Sequence, residues 1–300
     1  MSTFASTPNT APELSHKAGS GPVAVVKVGG APLHGGADTA ALAHDLERAL
    51  AGGWRVVVVH GGGSQLNDLM GRLGLKPRFV DGLRFTDDDV LAAAVMAFMA
   101  VNTQLAAALV AQGIKAVGMA GSAGGLVTAK RRYHRPQGQD TVIDLGWVGD
   151  VAGVRREVID SIWTAGCVPV IAPLGLGEDG HLYNVNADTI AAALAAGLTA
   201  DQCLLLTDVP GLLTVAPNER IEDGSEPEVI RRLSADQAAQ WLDEGRLTGG
   251  MRPKIAAALT AAQGGVAQVR IVDGREPGVI SRHLLDGADD GTVILGGAGR

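Results

Sequence analysis

Short apolar runs, each closed by a glycine turn and followed by a stretch of helical period, set the pattern of this chain. VAVVKV (23–28), RVVVVH (55–60), VPVIAP (168–173) and CLLLTDV (203–209) are too short for helices and apolar almost throughout. That is the composition of strands covered on both faces. After the first run, residues 38–50 repeat Ala and Leu at helical spacing, with Asp38 in the position of an N-cap. After the second, Gly61-Gly62-Gly63 leads into a helix from about Ser64. Strand, glycine turn, helix, strand is the order that builds a parallel α/β sheet.

FVDGLRFT (79–86) predicts a hairpin-like excursion, and residues 87–112 a long helix, apolar nearly all round. Such a helix is buried on several sides, in the core or against a second subunit. KAVGMAG (115–121) predicts a further strand, LVTAKRR and VIDLGWVGDV antiparallel excursions, and residues 155–165 a helix. The second half repeats the grammar. Helices are predicted over 188–197, 234–245, 253–263 and 277–286, a strand over 266–274, and an edge strand at TVIL (292–295). Residues 1–22 lack apolar periodicity and read as a flexible tail. Residues 23–199 and 200–300 form two lobes, with the boundary near Thr199 inside one continuous sheet.

Composition narrows the function. The 42 glycines sit between apolar runs, so they read as turns in a folded chain rather than as low complexity. A net charge of −7, with no Lys/Arg stretch, argues against a nucleic-acid-binding face. No apolar run reaches the length needed to span a bilayer, and residues 1–22 contain no signal-like apolar segment. Cys167 and Cys203 fall inside apolar runs and read as buried thiols of a reducing compartment. A soluble cytoplasmic protein is expected.

GLGEDG (175–180) matches a dinucleotide-binding pattern, but HLYNVN follows it where a helix should open, so it reads as a hairpin turn. The chain has no P-loop, no G-x-S-x-G elbow and no H-E-x-x-H, and its seven histidines are dispersed. What remains is a set of glycine turns at the C-terminal ends of strands, where open α/β sheets bind ligands. Lys27 lies inside a strand just before Gly29-Gly30, and Gly61-Gly62-Gly63 opens a helix. Exposed backbone amides and a helix N-terminus are both suited to an anion. Arg84 can clamp a carboxylate. Asn184, Asn186 and Asp188 alternate where a strand becomes a helix, with Asp188 in a capping position. TGGMRPK (248–254) supplies a second glycine turn and Lys254. Together these describe a pocket for an anionic substrate in an acidic protein.

VVKVGG, VVHGGG, VDGLRFT, VNADT, TDVPGLL and GGMRPK, in this order over residues 23–295, resemble the amino acid kinase family. GLRFT with YNVNAD and GGMRPK is most similar to the branch acting on N-acetyl-L-glutamate. The resemblance implies a three-layer αβα sandwich around a mainly parallel open sheet, with the amino-acid substrate and the dimer contact in the first lobe and ATP in the second. It implies transfer of the γ-phosphoryl group of ATP to the γ-carboxylate of N-acetyl-L-glutamate, with Mg²⁺ carried on the nucleotide and no metal ligands from the protein.

Lys27 and Lys254 would stabilise the transferring group, and Asp188 would hold both lysines. Gly29 and Gly30 would cradle phosphates. Gly62, Gly63, Arg84, Asn184 and Asn186 would bind the amino acid. Thr207, Asp208, Val209, Pro210, Gly211, Leu212 and Leu213, with Arg246, Leu247 and Thr248, would line the nucleotide site. GMAGSAGG (118–125) lacks the lysine and aspartate frequent in relatives, which leaves room for a carrier-linked aminoadipate or glutamate substrate, although NVNAD argues against it. A non-catalytic amino-acid sensor would have lost Lys27, Lys254 or Asp188, and all three are present. Pro8, Pro12 and Pro22 break up the tail, which does not read as the amphipathic helix linking arginine-inhibited relatives into hexamers. A homodimer is therefore expected.

Overall fold

A computed structural model describes residues 21–29, 37–136, 141–214, 227–247 and 249–296. The expected tail up to residue 20, Gly30 and Thr248 lie outside these residues.

The chain opens with Val23–Val28 (β1), then Ala37–Ala51 (α1), Arg55–His60 (β2), Gly63–Arg72 (α2) and the small hairpin of Phe79–Val80 (β3) and Leu83–Arg84 (β4). Asp88–Ala111 (α3), Ala116–Ala120 (β5), Val127–His134 (β6), Ile143–Val154 (β7) and Arg156–Thr164 (α4) follow. Val168–Ala172 (β8), Leu174–Gly177 (β9), Leu182–Val185 (β10), Ala187–Gly197 (α5) and Gln202–Thr207 (β11) come next. The chain continues through Arg232–Ser234 (β12), Ala235–Asp243 (α6), Met251–Gln263 (α7), Gln268–Asp273 (β13), Val279–Leu285 (α8) and Thr292–Leu295 (β14).

Eight strands form one sheet in the order β12-β14-β13-β11-β1-β2-β8-β5. Every neighbouring pair is parallel except β13 with β14. β1 pairs with β2 on one side and β11 on the other, so the sheet runs unbroken across Thr199. Helices cover both faces, the three-layer arrangement expected. Alternation along the central strands divides the core. Val25, Val57, Val59 and Leu205 pack under α5 and α7 with Ile190, Leu194 and Ile255. Ala24, Val26, Val56, Val58 and Leu204 pack under α1 and α3 with Leu46, Leu105 and Leu109. Each fully buried Val or Leu contributes about 1.5–3 kcal/mol, so a one-residue slip of any central strand is strongly disfavoured.

Several expectations change. TVIL is not the edge strand, because β12 pairs parallel outside it; three residues are too few to show a strand period. Asp38 is the second residue of α1 and supplies first-turn negative charge instead of the cap. The excursions of β6 and β7 do pair antiparallel, but with β9 and β10 they close into a four-stranded barrel. GLGEDG runs from the last three residues of β9 into the hairpin turn before β10, as its context implied.

α3, capped by the Asp87 side chain on the Val90 N–H, is long and apolar enough by length and composition to cross a bilayer, contrary to expectation. It is nevertheless a core helix, with Val101, Leu105 and Leu109 packed against the sheet. Its outward stripe of Met96, Ala100, Thr103, Ala107 and Val110 stays exposed.

Candidate active site

Period two along β1 turns Lys27 to the same face as Val23 and Val25, the face on which α5 and α7 begin. There its Nζ lies 3.0 Å from Asp188 Oδ1, while Lys254 Nζ lies 3.0 Å from Asp188 Oδ2. One carboxylate on the second residue of α5 thus bridges an ammonium from a strand end and another from the first turn of α7. Lys27 and Asp188 are 8% and 5% exposed, so neither charge could be buried alone. Burial draws the Lys27 ammonium below its ordinary pKa; Asp188 opposes this and Lys254 adds to it. Burial pushes the Asp188 carboxyl up, but the two ammonium groups outweigh it and hold the group below the usual carboxylate range. The cluster keeps one net positive charge, and two helix N-termini beside it add partial positive charge.

Asp188 is free for this bridge because Asn186 takes the cap. The Asn186 side-chain oxygen accepts from the N–H groups of Asp188 (2.8 Å) and Thr189 (3.1 Å). The capping expectation for Asp188 is therefore corrected. The oxygen of Asn186 is committed to the backbone, which leaves only its amide nitrogen for a ligand.

Across the sheet, Gly62 within the glycine turn is the N-cap of α2 and offers no side-chain cap, so the first amides of that helix face outward from the strand ends. A side chain at Gly62 would run into the Phe98 ring at 2.8 Å. Arg84 leans on the same helix. Its Nη2 donates to Asn67 Oδ1 at 2.6 Å, its Nη1 approaches Met70 Sδ at 3.4 Å, and the guanidinium lies over Phe79. Burial lowers its pKa, and among the described residues no carboxylate pairs with it. Asn184, at the end of β10, donates to Thr86 Oγ1 at 3.2 Å and so joins the GLRFT segment to the strand that leads to Asp188. The barrel holds that segment: the Thr86 N–H donates to Leu145 O, and the Trp147 N–H to Thr86 O.

Gly29 lies against the Lys27 ammonium. Thr207 and Asp208 lie at the end of β11, next to Asp273 at the end of β13. Arg275 holds Asp273 at 2.6 Å and lowers its carboxyl pKa. Gly211 and Leu212 are buried; Leu212 donates its N–H to Thr292 Oγ1 at 2.8 Å and its side chain belongs to the core. Val209 is half-buried, Pro210 exposed and Leu213 half-buried. Leu247 is also a core side chain, and Arg246 is exposed over the Trp241 ring. From Leu212 and Leu247, any contact with a nucleotide falls to backbone atoms.

Thr86, Asn67, His60, Asn102 and Asp273 were not singled out from the sequence. Asn102 carried the clearest signal, the first of three consecutive polar residues (Asn102, Thr103, Gln104) in the middle of an otherwise apolar helix.

A profile of the amino acid kinase family matches residues 22–273. The chain belongs to the amino acid kinase family. It is 41% identical over 277 residues to an acetylglutamate kinase from Symbiobacterium thermophilum, covering 92% of each chain. A second acetylglutamate kinase, from Methanopyrus kandleri, is 43% identical over 251 residues, covering 83% of this chain and 94% of that one. Among solved structures, the N-acetylglutamate synthase of Neisseria gonorrhoeae with coenzyme A and N-acetyl-glutamate superposes with a TM-score of 0.73 at 26% identity. That match covers 93% of this chain and 60% of the synthase. The carbamate kinase of Giardia lamblia, at 14% identity and a TM-score of 0.61, shares the fold.

Proposed function

We propose that this protein transfers the γ-phosphoryl group of ATP to the side-chain carboxylate of N-acetyl-L-glutamate, giving an acyl phosphate for arginine biosynthesis. The observation that carries this reading is the Lys27–Asp188–Lys254 bridge, which leaves a surplus positive charge at the ends of β1, α5 and α7. The acetylglutamate kinases similar over nearly the whole chain support the choice of substrate.

The nucleophile is already an anion, so the site needs no general base. The barrier is repulsion between carboxylate and phosphate, together with charge building on the equatorial oxygens. Lys27 and Lys254 meet that charge from two sides, and Asp188 fixes both ammonium groups before the reaction begins. Arg84 and the first amides of α2 hold the amino acid by its α-carboxylate and amide, which keeps the reacting carboxylate in line. Residues 23–199 carry this half of the site, and residues 200–300 the ATP half. Mg²⁺ would be held by the nucleotide's own phosphate oxygens and would neutralise their charge. Among the described residues no three His, Cys, Asp or Glu side chains gather to hold a metal.

The enzyme is inferred to be cytoplasmic and to work as a homodimer. The outward stripe of α3 beside the edge strand β5, where Val117 is also exposed, supports the dimer. Val110→Asp should halve the sedimenting mass, and an unchanged mass would refute that contact.

The test of the reaction is ATP-dependent acyl phosphate trapped as the hydroxamate, with N-acetyl-L-glutamate, N-acetyl-L-aspartate, L-glutamate and L-aspartate offered separately. Signal with N-acetyl-L-glutamate alone is expected. Silence with all four, from folded protein that still binds ATP, overturns the reading.

A further inference from the structure

β2 ends on the opposite face from Lys27. Val56, Val58 and then His60 turn toward α3, and His60 is fully buried there. Asn102, 1% exposed on α3, meets it. The Asn102 amide donates to Val170 O on β8 at 2.9 Å and reaches His60 Nε2 at 3.1 Å. His60 Nδ1 lies 2.6 Å from Gly61 O.

The carbonyls at the two ends determine every proton between them. Val170 O can only accept, so the nitrogen of the Asn102 amide must face it, and its second hydrogen lies between His60 Nε2 at 3.1 Å and Met119 O at 3.5 Å. Gly61 O can also only accept, so Nδ1 carries the proton, and the neutral ring leaves Nε2 as an acceptor facing the Asn102 amide. Turning Asn102 over would set its oxygen against the Val170 oxygen. Gly118, where a Cβ would collide with Asn102 Oδ1, lets the amide sit this close to β5. Burial lowers the His60 pKa to about 4, so the ring is neutral.

The relay ends on the glycine turn. Gly61 donates its N–H to Val28 O at 3.0 Å and gives its carbonyl to His60, so both of its peptide groups are fixed. In a planar trans peptide the Gly62 N–H points opposite to the Gly61 carbonyl. Holding that oxygen inward turns the amide outward and keeps an oxygen lone pair away from an arriving carboxylate. Accepting a hydrogen bond also polarises the peptide and strengthens the amide as a donor.

Resting on the function proposed above, we propose that His60 and Asn102 are positioning residues that aim the Gly62 amide at the amino-acid substrate through the Gly61 peptide.

His60→Leu should raise KM for N-acetyl-L-glutamate about tenfold or more, as loss of a hydrogen bond to a charged group does. KM for ATP should hold. His60→Asn, whose short amide can still donate to Gly61 O, should recover most of the loss. Asn102→Leu should give a smaller KM effect of the same selectivity. Long-range ¹H–¹⁵N spectra of the wild type, assigned with His60→Asn, should show a neutral ring protonated on Nδ1; this readout needs neither a folded Leu variant nor turnover. A proton on Nε2, or a folded His60→Leu enzyme with both KM values unchanged, would overturn the proposal. A wild type that makes no acyl phosphate overturns the reaction instead, so the two failures are distinguishable.

Discussion

Two neighbouring inner strands of the sheet, β1 and β2, lie side by side, yet the polar side chain near the end of each uses the opposite face and opposite chemistry. Lys27, the next-to-last residue of β1, turns toward α5 and α7 and is held in an ionic cluster; His60, the last of β2, turns toward α3 and is held by the Asn102 amide and the Gly61 carbonyl. A charge is tolerated in the first region because three ions share one buried place and the surplus faces an incoming anion. The second region carries no charge, so its groups need only complete hydrogen bonding to be buried at little cost. The first is suited to stabilising charge that develops during transfer. The second sets the direction of a backbone amide and is suited to recognition.

That contrast predicts different kinetic signatures. The largest effect should come from Lys27→Ala, with turnover lowered at least about a hundredfold, roughly 3 kcal/mol, and the fold retained, since Lys254 still pairs with Asp188. Steady-state kinetics with circular dichroism checks this, and near-normal turnover in a folded variant removes Lys27 from the chemistry.

Asp188→Asn probes the same cluster through pH. Lys27 must be an ammonium to act, and activity falls as pH rises through its folded-state pKa. Burial already sets that value below 10.5, and Asp188 is the charge that raises it. Without that charge the alkaline limb of the kcat profile should move to lower pH. A limb that stays put or moves up would assign the titration to another group.

Arg84→Ala should act on recognition alone. KM for the amino acid should rise on the order of tenfold or more, about 1.5–3 kcal/mol, while KM for ATP stays the same. The reverse pattern would place Arg84 at the nucleotide. The smallest effect belongs to Asn186→Ala, which removes a helix cap worth about 1 kcal/mol and should lower the melting temperature by roughly 2–4 °C. Turnover should fall slightly with it, because the capped turn carries Asp188. An unchanged melting temperature would show the cap to be dispensable.

Much of this arrangement was readable from the chain. The runs that carry Lys27 and His60, the glycine turns and the helix after Asn186 announce themselves through apolar period and turn residues. Asp188 shows the limit of that reading: as Asp just before an apolar run it looks like a cap, and only the position of Asn186 two residues earlier shows which of the two caps. Leu212 and Leu247 read as parts of nucleotide-lining motifs, yet their side chains fill the core. β12 was too short to show a period, and closure of β6, β7, β9 and β10 into a barrel depends on the pairing of β6 with β9, which no local pattern encodes.

The alternation along β1 and β2, and therefore which side chains share a face, is written in the order of residues, because successive residues of a strand point to opposite sides. That order also determined where helices begin and where backbone amides are exposed, since glycine and capping residues act within a turn of themselves. That Asp188 meets both lysines and that Asn102 meets His60 emerges only once the whole chain is packed. Those contacts depend on strand order and on which helix covers which face, and both are set by packing the whole apolar core at once rather than by any segment's own preference.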